Sequence, residues 1–91
     1  ALPISYMKYA ALELAGKGIR CNAVQPGRIN TPLISNRLLS EEDVTKDIEQ
    51  YPMKRYGKPE EVAHAIIYLL SDASAWVTGT NLVIDGGRSL K

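Results

Sequence analysis

The order of apolar and polar positions changes period along the chain. At the start, Ile4, Met7, Ala11 and Leu14 recur at helical spacing, and Tyr6, Ala10 and Leu12 widen the stripe, which predicts a helix over residues 2–17. Pro3 fits because proline is tolerated in a first turn. So wide a stripe has more than one face to bury, against the protein's own layers or against another subunit. Gly18 suits the left-handed position after a helix. Ile19, Cys21 and Ala23 then alternate with Arg20, Asn22 and Val24, the two-residue period of a strand running to Gln25. Pro26 and Gly27 are expected to end it, since proline lacks a ladder donor and glycine tolerates positive φ. Thr31 and Pro32 form a good N-cap and first-turn pair.

Residues 32–39 are predicted as a short helix. Ser40-Glu41-Glu42-Asp43 approximates a capping box, with Asp43 where glutamate is preferred. The helix it starts should reach about Gln50 and, with only Val44, Ile48 and Tyr51 as apolar content, should be exposed and mobile. Tyr51-Pro52-Met53 breaks it. The whole segment 32–55 has the composition of a lid over a substrate site, the alternative being a plain surface excursion. Gly57 to Leu70 is the clearest helix, with Pro59 at its first position and Glu60 and Glu61 in its first turn. Val62, Ala63, Ile66, Ile67, Leu69 and Leu70 give it a broad apolar face. Ser71 to Ser74 ends it, Thr78-Gly79 reads as a turn, and Asn81 to Asp85 is a strand centred on Leu82-Val83-Ile84. Gly86-Gly87 closes that strand. The order helix, strand, short helices, helix, strand makes one βαβ unit with a leading helix, and its strands should be parallel. The class is α/β.

Ninety-one residues allow one domain with a marginal core. A net charge of +1, from eleven basic and ten acidic residues that are interspersed, argues against a nucleic-acid partner. No apolar run approaches a membrane span, so no membrane partner is expected either. One cysteine, Cys21, excludes an internal disulfide, and Cys21 and His64 do not make a metal site. The chain opens at Ala1, without methionine and inside a helical pattern, and nothing there resembles a signal peptide. It reads as a fragment boundary or a product of processing, and a cytoplasmic location is expected.

A strand whose carboxyl end passes through a tight turn to a helix start is where open α/β sheets bind ligands, and free N–H groups at such a start suit a phosphate. Yet no glycine-rich turn follows a strand and opens a helix here. No tyrosine is followed by a lysine one helical turn later: Tyr6 is followed by Ala10 and Tyr9 by Glu13.

The residues carry a resemblance over almost the whole chain, in one order. Ala11-Leu12-Glu13-Leu14-Ala15 with Gly18-Ile19-Arg20, Asn22-Ala23-Val24-Gln25-Pro26-Gly27 with Ile29-Asn30-Thr31-Pro32, Arg55-Tyr56-Gly57-Lys58-Pro59-Glu60-Glu61-Val62-Ala63, and Ser71-Asp72-Ala73-Ser74 with Val77-Thr78-Gly79 and Asp85-Gly86-Gly87 resemble the C-terminal part of short-chain dehydrogenases/reductases. They look most like the branch that includes 3-oxoacyl-carrier-protein reductases and sugar or polyol dehydrogenases. The resemblance implies that residues 1–91 are one partial Rossmann-like domain, the C-terminal portion of a doubly wound parallel sheet, with 32–55 as its variable substrate loop.

By the same resemblance, the parent protein is an NAD(P)-dependent oxidoreductase acting on a carbonyl or alcohol, with NAD or NADP as cofactor. Pro26 and Gly27 would line the nicotinamide, the backbone of Ile29 would bond its carboxamide, and Thr31 would reach the carboxamide or pyrophosphate. Each has a plainer reading: a turn for Pro26 and Gly27, an N-cap for Thr31. The family's catalytic Tyr-x-x-x-Lys pair and serine would lie outside the chain, the lysine immediately before Ala1, so no catalytic residue is assigned. The chain alone should neither turn over substrate nor hold the cofactor tightly. The parent is expected to be a homo-oligomer, a dimer or tetramer, and helix 2–17 often lies in the family's dimer contact. The alternative from a different class is a non-catalytic truncated module that acts through oligomerisation or partner binding. Arg28 occupies a position that varies in the family; it meets either an acidic substrate group or solvent, solvent being preferred. Asn22 is expected to bond at the strand end, Asp85 to satisfy a turn, Trp76 to pack near the last strand, and His64 to be exposed or capped.

Overall fold

A computed structural model describes residues 2–31 and 40–91 of the chain. Helix α1, Leu2–Leu14, carries the expected inner stripe, and its last turn tightens into a 3₁₀ turn at Ala15–Lys17. Gly18 stops it at φ 73°, its N–H donating to the Ala15 carbonyl at 3.0 Å while the Ile19 N–H donates to the Leu14 carbonyl at 3.3 Å. Those two bonds satisfy carbonyls that the helix end would otherwise leave open.

Strand β1 is Ala23–Pro26, shorter than the alternation from Ile19 predicts. Residues 20–22 spend their polar groups on the loop ahead of the second strand instead. Arg20 donates to the carbonyls of Val77 and Ser71, both at 3.2 Å, and the Cys21 N–H donates to Thr78 Oγ1 at 3.1 Å. Asn22 donates from Nδ2 to the Val77 carbonyl at 3.1 Å and accepts from the Thr80 N–H at 3.0 Å, the strand-end role expected of it. Strand β2, Asn81–Ile84, pairs with β1 in parallel, from Ala23 opposite Asn81 to Pro26 opposite Ile84.

Between the strands lie α2, Glu41–Ile48, and α3, Pro59–Leu70. Ser40 caps α2 by accepting the Asp43 N–H at 3.1 Å. The start of α3 has Pro59 in its first position, as predicted, and Lys58 before it. Lysine offers no side-chain acceptor, so Glu61 reaches back and accepts the Lys58 N–H at 2.8 Å. The end of α3 turns through Asp72–Ser74, where Ser74 is 1% exposed. Its hydroxyl lies 3.0 Å from the Leu69 carbonyl and 3.1 Å from that of Ser71.

α3 lies against β1. Ala11, Leu69 and Tyr51 are buried, but each helix covers only one stripe of its apolar surface. Tyr6, Tyr9 and Leu12 of α1 and Ile67 and Leu70 of α3 remain exposed. Trp76 does not pack near the last strand as expected; it is 99% exposed, in a turn that the Val77 N–H closes onto the Ser74 carbonyl at 2.8 Å. His64 is exposed. Among the described residues, no helix is long and apolar enough to cross a membrane. The substrate-loop segment expected at 32–55 is described only from Ser40 onward; the short helix predicted at 32–39 lies outside the described residues.

Ser74 holds the end of α3 from inside. Replacing it with alanine leaves the Leu69 carbonyl buried without that donor, and should cost about 1–2 kcal/mol of stability, read as a lower urea midpoint at unchanged slope.

Candidate functional site

The chain leaves β1 through Gly27. That glycine is not among those with positive φ, so the expected reason for it is wrong. Its requirement is space: a Cβ there would stand 3.0 Å from Asp85 Cβ and 3.1 Å from both Asp85 Cα and Tyr51 Cε1. The Gly27 N–H closes the ladder on the Ile84 carbonyl at 2.9 Å, and the next N–H, of Arg28, donates to the Tyr51 hydroxyl at 3.1 Å. Ile29 then forms a parallel bridge with Gly57. Gly57 donates to the Arg28 carbonyl at 3.1 Å and accepts the Asn30 N–H at 2.8 Å. In such a bridge the middle residue's own N–H and C=O point to the opposite side. The peptide groups of Ile29 therefore face away from Gly57.

Gly27 and Ile29 line one cavity of about 110 Å³, together with Arg28, Tyr51, Met53 and Gly57. Pro26 and Thr31, the other two predicted cofactor contacts, do not line it. Pro26 is exposed at the end of β1, and Thr31 is half-buried where the described chain pauses, so its predicted cap over residues 32–39 lies outside the described residues.

Arg28 does not meet solvent alone, as preferred from sequence. Its Nη1 lies 2.6 Å from Asp47 Oδ2, and the Tyr56 hydroxyl donates to the same oxygen at 2.6 Å. The Tyr56 hydrogen bond and the Asp47 charge raise the Arg28 pKa above its usual value. Burial, and then the hydrogen bond to Asp47, push the Tyr56 phenol up as well. The Tyr56 ring meets Tyr51 edge-on, centroids 6.3 Å apart. Sequence reading missed Tyr51, Tyr56 and Asp47, because no local periodicity joins Arg28 to a partner nineteen positions away. The one available signal was an aromatic beside proline in an otherwise polar segment.

Two further carboxylates fix the rim. Arg55 grips Glu61 with two bonds, of 2.6 and 2.9 Å. That grip, with the Lys58 N–H, lowers the Glu61 pKa from 4.5 to about 2. Asp85 satisfies its turn as expected, accepting the Gly87 N–H at 3.0 Å and the Ser89 N–H at 2.9 Å. Desolvation acts upward on the Asp85 carboxyl, but its bonds from Ser89, Gly87 and Arg88 outweigh it and hold the group below its usual value. Among the described residues, no group of three His, Cys, Asp or Glu could hold a metal ion. The arrangement is a wall. Gly27 presents bare backbone there, Ile29 turns its peptide groups away from Gly57, and neither residue carries a titratable side chain.

The family model described as enoyl-(acyl carrier protein) reductase matches residues 1–89. Cyclohexanol dehydrogenase of Acinetobacter sp. is 46% identical over 84 residues, 92% of this chain and 32% of that protein. The 3-oxoacyl-[acyl-carrier-protein] reductase FabG of Thermotoga maritima is 48% identical over 84 residues, 92% of this chain and 33% of that protein. A solved 4-hydroxyisoleucine dehydrogenase complexed with NADH superimposes at a TM-score of 0.91 with 30% identity, covering 99% of this chain and 37% of that one. The chain thus spans about a third of the length of the curated relatives it matches.

Gly27→Ala should destabilise the protein by about 1–3 kcal/mol, because the atoms it meets include backbone and a buried ring. Gly57→Ala meets Ile29 Cδ1 at 2.8 Å, the far end of a flexible side chain, and the Arg28 carbonyl oxygen at an ordinary 3.9 Å, and should cost less in the same denaturant titration. Glu61 has a folded pKa below its unfolded one. Its contribution to stability should be complete above pH 4.5 and vanish as pH falls toward about 2. Glu61→Gln should remove that dependence from urea midpoints measured across the interval.

Proposed function

The chain belongs to the short-chain dehydrogenase/reductase family, and on that premise we propose that it is the C-terminal segment of an NAD(P)-dependent oxidoreductase, supplying the nicotinamide-side wall and the substrate lid. The observation that carries this reading is the Ile29–Gly57 bridge, which turns the Ile29 peptide groups outward beside the bare backbone of Gly27. Bound there, NAD or NADP would supply the hydride acceptor or donor for an alcohol or carbonyl substrate. Ile29 would hold the carboxamide through its N–H and C=O, fixing which face of the ring meets the substrate. Pro26 and Gly27 would back the ring and exclude water from one side, and Thr31 would bond the carboxamide or the pyrophosphate. The segment 32–55, described from Ser40 onward, would cover the substrate.

No proton-transfer group is assigned within the chain. The catalytic tyrosine, lysine and serine, and the cradle for the adenosine half, would come from the remaining two thirds of a full-length relative. The free edge of β1 and the exposed faces of α1 and α3 support docking of that portion, and of a second subunit in a homodimer or tetramer. A cytoplasmic location belongs to the same reading. The relatives' names, a cyclohexanol dehydrogenase and a glucose 1-dehydrogenase of Bacillus subtilis among them, support an alcohol or carbonyl as the substrate class. The same exposed faces favour one second reading: a non-catalytic module that acts by pairing.

Two measurements separate these readings. The protein completed by its N-terminal portion should reduce NAD or NADP with cyclohexanol or glucose, followed by the absorbance of the reduced nicotinamide. The 91-residue chain alone should show no saturable NADH binding at micromolar concentration by fluorescence. Saturable binding would overturn the division of the cofactor site, and an inactive completed protein would favour the module.

A further inference from the structure

α2 has no fully buried residue; Val44 and Ile48 are half-buried, and the hydrogen bonds and ion pairs that tie the helix to other segments gather at one end. Asp47, one residue before the last of the helix, offers a single oxygen to both Arg28 and Tyr56 at 2.6 Å. The Glu49 carbonyl just beyond accepts Lys54 Nζ at 3.2 Å and Lys91 Nζ at 3.4 Å. Cations at a helix C-terminus are favourable, and these two close on its exposed carbonyl. Lys54 itself sits at φ 59°, the one positive-φ non-glycine among the described residues, held by its N–H on the Tyr51 carbonyl at 2.8 Å. Such strain persists only where surrounding contacts over-determine it. At the other end, among the described residues, Ser40 and the first turn make local bonds and the Lys46–Glu42 pair at 3.3 Å.

We infer that Asp47 is a positioning residue: its carboxylate pins the C-terminal end of α2 to the turn that forms the cofactor wall, so that α2 pivots from a fixed point over the substrate. Arg28 stands between Gly27 and Ile29, its N–H is bonded to Tyr51, and its side chain grips Asp47. The wall and the covering helix are thereby one mechanical unit, and the side chain at position 28 sets how α2 departs from it. The role of α2 toward substrate rests on the proposed function; the pinning does not.

The test uses the completed protein and Asp47→Ala. Hydrogen exchange of the amides in 41–48 should quicken about tenfold, with those in 59–70 unchanged. With cyclohexanol or glucose, whichever turns over, KM should rise about tenfold while kcat and the NADH dissociation constant stay within about twofold. The paired swap Arg28→Asp with Asp47→Arg should restore both readings. Unchanged exchange in 41–48 overturns the pinning. Faster exchange with unchanged KM, or an equal fall in kcat, overturns the positioning role. If the unaltered protein turns over neither alcohol, the proposed function fails instead, and exchange alone decides the pinning.

Discussion

The ring of Tyr51 rests where the ends of both strands converge. Gly27 leaves no room for a Cβ between that ring and Asp85, and the Tyr51 hydroxyl accepts the N–H of Arg28. Both facts depend on one another. Without glycine the ring could not approach; without the hydroxyl the Arg28 N–H would lose its partner just as the chain turns out of β1. From this contact the direction of residues 28–31 follows, then the bridge of Ile29 to Gly57, then the start of α3 two residues later. The segment after α2 is bound to the same place, because the Met53 N–H donates to the Gly86 carbonyl at 3.1 Å.

Much of this was legible locally. The stop at Gly18, the cap at Ser40, Pro59 at the head of α3, the turn at Asp85 and the parallel pairing of two apolar strands rest on residues within a few positions of one another or on a period. What escaped was set by contacts between distant segments. Arg20 looks like a strand residue in sequence, but its partners at Ser71 and Val77 draw it out of the ladder. Tyr51 reads as a helix breaker's neighbour, and is the buried anchor. Arg28 reads as a solvent side chain because Asp47 and Tyr56 are remote along the chain. Trp76 shows the opposite error: size and hydrophobicity suggested packing, while the turn holds it outward.

The predicted wall residues divide in the same way. Gly27 and Ile29 share a cavity because β2 and Gly57 place them there. All four were chosen by resemblance; Pro26 and Thr31 do not line that cavity, and their proposed roles need the ring itself to be in place. The uncovered stripes of α1 and α3 have the same logic at larger scale. Both helices carry more apolar surface than one stripe, and the described residues cover one stripe of each.

In the proposed function, Ile29 recognises the nicotinamide end of the cofactor. The direct measurement is the amide resonance of Ile29, isotope-labelled in the completed protein, on adding NADH and separately ADP-ribose, which lacks the nicotinamide. NADH should shift that resonance, and ADP-ribose should not reproduce the shift. Equal shifts with both, or none with NADH, would contradict that recognition.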